Sequence, residues 1–260
     1  MKLSIVTHFP YKEGNLNLKQ VAELGYEGVE IAIRDPKVLD KEFLKKELKK
    51  YNLKVPDIVT GQAYTLDGLS MTHDKSPVRR DFVERFKDNI DLASELEAKV
   101  LIGWARGLFK DCKFGDPMKY FTETLTECAE YAKPKGVELL IEPLNRYEAD
   151  SFLTLKETVD YLDQVNLENV KIVADVFHMN IEEKKPIHKA IFEAGKYLAH
   201  VHVADNNREV PGKGCLPFRK FFKALKKMKY DGFVSVEVTR MKPDAYEAAK
   251  FAITHLRKVI

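Results

Sequence analysis

Four acidic or histidine side chains stand at or near the ends of short apolar runs in the second half of the chain. VELLIE ends in Glu142, VKIVAD ends in Asp175, AHVHV carries His202, and FVSVE ends in Glu237. One acid in such a place would be explained by a helix cap or an isolated structural charge. Four in succession predict a metal site, because carboxylates brought together away from water are normally paired or bound to a cation.

The donor types narrow the choice of ion. Three carboxylates and one imidazole contain no sulfur, which favours one divalent ion such as Mn²⁺, Co²⁺ or Mg²⁺ over a structural zinc site, although zinc stays open. We expect Mn²⁺ first. His200 lies two residues before His202, so both side chains point to the same face of a strand. Only one of them needs to bind the metal, and the other can satisfy its nitrogens deeper in the fold.

Apolar runs and amphipathic stretches alternate along the whole chain. The runs predict eight strands: Leu3–Thr7, Gly28–Ile31, Val55–Thr60, Val100–Gly103, Val137–Glu142, Val170–Asp175, Ala199–Val203 and Phe233–Glu237. Continuous apolar strands are typical of a parallel sheet covered on both faces. No G-x-G-x-x-G follows the first strand, which disfavours an open dinucleotide-binding sheet. We therefore predict an α/β fold, a (β/α)₈ TIM barrel in which residues 1–260 form a single domain.

Three polar positions predict where helices begin. Ser76 and Asp116 each precede a proline, the arrangement of an N-cap followed by proline at the first helical position. Thr154 and Glu157 have the spacing of a capping box. Helices are thus predicted after the third, fourth and fifth strands, as a barrel requires.

The bulk composition excludes several classes of protein. Charged residues make up 32% of the chain, yet the net charge is only +3, which does not predict binding to nucleic acid or to a membrane surface. No run approaches the ~20 apolar residues of a membrane span. The three cysteines form no C-x-x-C pair, so a reduced, cytoplasmic location is expected.

Four motifs together resemble the D-tagatose 3-epimerase group of sugar epimerases, which belongs to the xylose-isomerase-like barrels. They are IEPLNRYE at 141–148, ADVFHMNIEE at 174–183, HVHVADNNR at 200–208 and PGKGCLPF at 211–218. The resemblance covers most of the chain and is strongest from about 137 to 240. The first half departs from the family pattern at His8, where relatives often carry an aromatic residue, and in GWARGLFKD after strand four.

The resemblance implies roles for particular positions. The metal ligands would be the four strand-end residues named above, with Glu142 and Glu237 also acting as the acid/base pair. His178 and Arg208 would hold the oxygen on C2 of the substrate, and Glu148 would contact the substrate as well. Relatives form dimers or tetramers, so a homo-oligomer is expected on resemblance alone.

The residue types suit this chemistry independently. Inverting a carbon next to a ketone requires removal of a weakly acidic proton, and a divalent metal stabilises the resulting enediolate. Inversion then needs one base on each face of the planar intermediate, and Glu142 and Glu237 could supply them. Cationic donors such as His178 and Arg208 could stabilise the oxyanion. The expected function is C3-type epimerisation of a small ketose or keto-sugar acid.

The substrate is less well defined than the reaction. His8 follows strand one, and Trp104 and Arg106 follow strand four, so all three are expected at the mouth of the barrel. Arg106 could grip a carboxylate or a phosphate, and a carboxylate would indicate a keto-sugar acid such as 5-keto-L-gluconate or D-tagaturonate. If it is a solvated loop residue instead, a neutral ketose such as tagatose, psicose or ribulose is expected.

Three other functions stay open on the sequence. A hydroxypyruvate isomerase or another aldose–ketose isomerase would share much of this set of residues. An endonuclease IV-like DNA repair enzyme would need more metal ligands and a basic groove. A non-catalytic sugar-binding protein would have no need of two flanking glutamates and a metal.

Overall fold

The eight predicted strands form a closed parallel barrel. The computed structural model describes residues 1–10, 14–239 and 241–260. Within these residues the strands pair in chain order, and β1 also pairs with β8 to close the sheet. The strands are β1 (Lys2–Phe9), β2 (Gly28–Ile33), β3 (Asp57–Val59), β4 (Lys99–Ile102), β5 (Leu139–Ile141), β6 (Val170–Asp175), β7 (Leu198–Val203) and β8 (Phe233–Val236). The predicted TIM barrel is therefore confirmed.

Helices connect the strands over the outside of the barrel. In the part of the chain described, the α-helices are α1 (Leu18–Glu23), α2 (Lys41–Lys50), α3 (Gln62–Asp67), α4 (Ser76–Leu96), α5 (Pro117–Ala132), α6 (Leu155–Val165), α7 (Val176–Glu182), α8 (Ile187–Ala190), α9 (Phe218–Lys227) and α10 (Ala245–Val259). Short 3₁₀ helices occupy Pro36–Val38, Trp104–Arg106, Phe109–Asp111, Lys133–Lys135 and Ile191–Tyr197. None of the helices at these positions has the length and apolar character needed to span a bilayer.

The predicted helix starts hold at two of three places. Asp116 accepts hydrogen bonds from the backbone N–H groups of Met118 and Lys119, as an N-cap should. Thr154 accepts from the Glu157 N–H at 3.2 Å, but the Glu157 carboxylate accepts from the N–H groups of Phe152 and Leu153, so only half of the predicted capping box forms. The N-cap at Ser76 is wrong by one residue, because α4 begins at Ser76 itself, after Lys75, with no side-chain cap.

Two apolar layers hold the barrel in shape. The larger one fills the space between the strands and the helices. The smaller one fills the inside of the barrel with Leu101, Leu140 and Val173. Leu140 and Val173 stand two residues before Glu142 and Asp175, so the strand period of two directs those acids to the same inner face, one layer higher.

One irregularity interrupts the pairing of β6 with β7. Ile172 pairs with Leu198, but the next residue, Val173, pairs with His200. Ala199 is therefore an extra residue in β7, the arrangement of a β-bulge. Beyond it the ladder is regular again, and Asp175 pairs with His202.

An aromatic cluster beneath α5 and α6 makes a measurable contribution to stability. Phe121 is fully buried, and its ring centroid lies 5.0 Å from that of Phe152 and 5.7 Å from that of Tyr161. Replacing a buried phenylalanine by alanine leaves a cavity, so Phe121→Ala should lower the free energy of unfolding by about 3–5 kcal/mol in denaturant titration. Phe114→Ala, at a side chain that is 78% exposed, should change it by less than about 0.5 kcal/mol. Equal effects of the two substitutions would contradict this packing.

Candidate metal centre and active site

The four strand-end residues meet at the C-terminal mouth of the barrel. Glu142 follows β5, Asp175 ends β6, His202 lies in β7, and Glu237 follows β8. One ligand atom from each of the four lies within 4.8 Å of all the others. The backbone N–H groups of Glu142 and Glu237 still donate to the neighbouring strands, at 3.1 and 3.2 Å. The hydrogen bonds between strands therefore fix the backbone positions from which these two carboxylates project.

His202 and Arg208 hold the carboxylates together. Nδ1 of His202 lies 3.0 Å from Oε1 of Glu142 and 3.2 Å from Oε2 of Glu237. Arg208 donates from Nη1 to Asp175 at 2.5 Å and from Nη2 to Glu237 at 2.6 Å. Arg208 has a left-handed backbone with φ of 59°, which turns its side chain back over the mouth.

The environment shifts the pKa values of Glu142 and Glu237 in opposite directions. Burial, followed by the negative charge of Glu237, raises the pKa of Glu142 above its usual value. Burial acts in the same direction on Glu237, but His202 and Arg208 outweigh it and hold its pKa well below the usual value. Burial lowers the pKa of His202, yet the nearby carboxylates dominate and raise it well above 6.5. The two glutamates thus differ in their readiness to hold a proton.

The donor set fits a divalent metal ion. With the three carboxylates ionised and the His202 ring neutral, Arg208 would leave two negative charges at the mouth, which one divalent cation would neutralise. Oxygen donors with one imidazole suit Mn²⁺, Mg²⁺ or Co²⁺. Asp175 also accepts the Phe177 N–H at 2.7 Å as the N-cap of α7. Asp175 is therefore both the N-cap of α7 and a member of the cluster of candidate metal ligands.

His178 presents a hydrogen-bond donor to this cluster. Its Nδ1 accepts the backbone N–H of Asn145 at 3.2 Å, so the neutral ring carries its proton on Nε2. Nε2 lies 3.6 Å from Oδ2 of Asp175. Asn145 also donates from its amide to Glu148 at 2.8 Å, which ties Glu148 to the same side of the mouth.

Trp104 and His8 lie at the C-terminal ends of β4 and β1, the strands that adjoin β5 and β8. The indole N–H of Trp104 donates to Glu148 at 3.1 Å, and the side chain is partly exposed. His8 is exposed at the end of β1, with its Nδ1 2.8 Å from the amide nitrogen of Gln62. These positions agree with a place beside a bound substrate, and their roles toward one stay predictions.

Arg106 occupies a different place from either alternative considered for it. It is buried, and Nη1 donates to the backbone carbonyl of Glu142 at 2.7 Å. Burial lowers the pKa of Arg106 to about 10. Gly103, at the start of the same loop, lies so close to Glu142 that an added Cβ would stand 2.9 Å from the carboxylate. The loop after β4 therefore supports the end of β5, and its arginine is not a solvated loop residue. Nε and Nη2 of Arg106 have no hydrogen-bond partner among the described residues, and its role toward a substrate stays a prediction.

A second polar layer lies beneath the four candidate metal ligands, and the sequence predicted only His200 among its members. Glu30, Asp57 and His200 are buried inside the barrel. Burial, followed by the charge of Glu30, raises the pKa of Asp57 to about 8, and burial lowers the pKa of His200 to about 3. Strand periodicity indicated His200, whereas Glu30 and Asp57 do not stand at the end of a run. The signal available was a charged residue in the middle of the apolar strand GVEIAI.

The architecture and the cluster at its mouth define a class of TIM barrel with a candidate metal centre at the C-terminal ends of its strands. A family model described as xylose isomerase-like TIM barrel matches residues 18–259. The chain belongs to this family, as the motifs predicted.

Relatives narrow the class. The chain is 32% identical to a D-psicose 3-epimerase of Enterocloster bolteae over 85% of this chain and 75% of that protein. It is 44% identical to a D-psicose 3-epimerase of Ruminiclostridium cellulolyticum over 44% of this chain and only 39% of that protein. A solved 3-keto-D-glucoside 4-epimerase from E. coli superposes with a TM-score of 0.84 at 25% identity, covering 99% of both chains. The prediction of a sugar epimerase or isomerase is confirmed at the level of the class.

Metal binding can be measured without any substrate. Mn²⁺ should raise the melting temperature of the metal-free protein, because a ligand at 100 times its Kd stabilises the folded state by about 2.7 kcal/mol. Asp175→Asn keeps the helix cap but removes a charged donor, so it should shift this effect to higher Mn²⁺ concentration. Glu148→Gln, at the same mouth but outside the cluster, should respond as the wild type does. An unchanged Mn²⁺ response in Asp175→Asn would remove this residue from the metal site.

Proposed function

We propose that the chain inverts the carbon next to the ketone of a small ketose or keto-sugar derivative. Glu142, Asp175, His202 and Glu237 would hold one divalent ion, with Mn²⁺ expected. The observation that carries the proposal is the approach of Glu142 and Glu237, from strands β5 and β8, to the same imidazole nitrogen at 3.0 and 3.2 Å. Two bases then flank one site, as an inversion requires.

The two glutamates would move the proton. One carboxylate removes the proton from the carbon next to the ketone, and the other returns a proton to the opposite face of the planar intermediate. A divalent ion, when bound, supplies Lewis-acid polarisation of the substrate carbonyl. Each carboxylate is held in reach of the same point by His202, so neither needs a large movement to take its turn.

Two donors would hold the substrate oxygen on which charge develops. The Nε2–H of His178 faces the mouth because its Nδ1 is occupied by Asn145. Arg208 spans Asp175 and Glu237 with two nitrogens of its guanidinium. Preorganised donors of this kind, aimed at a forming oxyanion in a dry site, contribute substantially to rate acceleration.

The relatives act on carbons in the same chemical position. A 3-epimerase of a 2-ketose and a 4-epimerase of a 3-keto sugar both invert a carbon directly beside a carbonyl. This shared position supports an epimerase over an aldose–ketose isomerase, in which the proton moves between neighbouring carbons without a second base. A homo-oligomer and a cytoplasmic location stay predictions.

A neutral substrate fits the mouth better than a keto-sugar acid. The arginine expected to grip a carboxylate donates instead to the carbonyl of Glu142 and is buried. The rim on that side offers Trp104, an aromatic surface suited to the C–H face of a sugar, with Glu148 beside it.

Substitution of either glutamate should nearly abolish turnover. Glu142→Gln and Glu237→Gln should each lower kcat by about 10²–10⁴-fold, because general acid–base groups contribute on this scale. Metal content must be measured in the same samples, since both residues are also candidate ligands. Glu138→Gln is the matched control, because Glu138 precedes β5 at the opposite end of the barrel and lies 3.8 Å from Lys99. Full activity in a metal-loaded Glu142→Gln or Glu237→Gln variant would exclude this mechanism.

Product analysis should locate the inverted carbon. In D₂O the wild type should place solvent deuterium on one carbon beside the ketone of its substrate, and a panel of neutral ketoses should be turned over faster than keto-uronates.

Arg106→Ala should lower the melting temperature, since it leaves the Glu142 carbonyl without its donor, but should not change the ratio of kcat/KM between neutral ketoses and keto-uronates. A selective loss of activity on keto-uronates would show that Arg106 reaches their carboxylate.

A further inference from the structure

A buried carboxylate in the middle of β2 contacts the candidate metal ligand His202 from below. Glu30 is fully buried, and all its neighbours in GVEIAI are buried as well. Its Oε2 lies 3.0 Å from Nε2 of His202, and its Oε1 lies 2.6 Å from Nε2 of His200. A carboxylate in such a place is costly to bury, and it persists only where its oxygens are hydrogen-bonded.

The two nitrogens of His202 face two different layers. Nδ1 faces Glu142 and Glu237 in the upper layer, whereas Nε2 faces Glu30 in the layer beneath. A carboxylate acceptor keeps the ring proton on the nitrogen that it contacts. Nδ1 also faces two carboxylates, and a divalent ion bound by those carboxylates would take the place of a proton on Nδ1, while Glu30 holds the proton on Nε2.

We infer that Glu30 is a positioning residue that fixes the tautomer and the ring orientation of His202 for metal binding. This inference rests on the proposed metal-dependent function but concerns a residue that takes no part in proton transfer to substrate. Metal-bound histidines commonly donate their second N–H to a carboxylate, and loss of that partner typically weakens metal binding by about 10–100-fold.

His200 completes the support for Glu30. Nε2 of His200 lies 2.6 Å from Glu30 and 3.3 Å from Oδ2 of Asp57. Neither oxygen of Asp57 has a hydrogen bond with good geometry within the residues described. His200 therefore hydrogen-bonds to Glu30 rather than to Asp57, and each carboxylate oxygen of Glu30 contacts one imidazole.

The same residues could instead enclose a second ion. Ligand atoms of Glu30, Asp57, His200 and His202 lie within 4.8 Å of one another. The hydrogen-bonding distances from Glu30 to the two imidazoles favour protons in that space. The number of ions bound per chain separates the two arrangements.

Substitution of Glu30 tests the inference through metal affinity. Glu30→Leu removes the acceptor at similar volume and should weaken Mn²⁺ binding by about 10–100-fold in calorimetric titration. Glu30→Gln keeps an oxygen acceptor and should restore most of the affinity. Ser4→Ala is the control, because Ser4 contacts Ser235 in the barrel interior, and it should leave Mn²⁺ affinity unchanged.

The tautomer of His202 gives a second readout that simple loss of packing would not move. Long-range ¹H–¹⁵N spectra of the Mg²⁺-loaded wild type should show His202 protonated on Nε2, and this preference should be lost in Glu30→Leu. If Glu30→Leu folds poorly, the wild-type spectrum alone still tests the inference, because a His202 proton on Nδ1 in the Mg²⁺-loaded protein would overturn it. Unchanged affinity and tautomer in Glu30→Leu, or two ions per wild-type chain, would overturn the inference. Failure to epimerise any ketose with metal binding intact would refute the proposed function alone.

Discussion

The structure depends on gathering three carboxylates at one end of a dry barrel. Glu142, Asp175 and Glu237 would repel one another if nothing lay between them, and burial makes that repulsion stronger. The parallel ladder holds their backbones in place, while His202 and Arg208 supply the opposing charge from the side. The rest of the barrel must therefore hold the three carboxylates together against their mutual repulsion.

His202 links this constraint to the interior of the barrel. Nδ1 of its ring contacts the carboxylates at the mouth, and Nε2 contacts Glu30 in the layer beneath. Most TIM barrels fill their interior with branched apolar side chains. Here only one side is apolar, around Leu140 and Val173, and the other side is occupied by hydrogen-bonded polar groups.

Much of this arrangement follows from sequence periodicity. All eight strands were predicted, and β6 has the predicted bounds, because buried parallel strands are short, apolar and regularly spaced. The acids at strand ends were predicted for the same reason, since strand ends converge in a barrel. Glu30 and Asp57 were not, because a charge inside an apolar run gives no indication of its partner, which lies about 170 residues away for Glu30. The bulge at Ala199 was equally invisible, because it depends on the register of β6.

Trp104 and Arg106 belong to a single turn of 3₁₀ helix, yet they face opposite ways. Trp104 forms part of the wall that a substrate would meet, whereas Arg106 supports the end of β5. Exchange of this loop to alter selectivity would also displace Glu142, one of the two carboxylates proposed to move the proton. Divergence or engineering of substrate range in this barrel should therefore proceed more readily at His8, near the end of β1, and at Gln62, at the start of α3, than through the loop after β4.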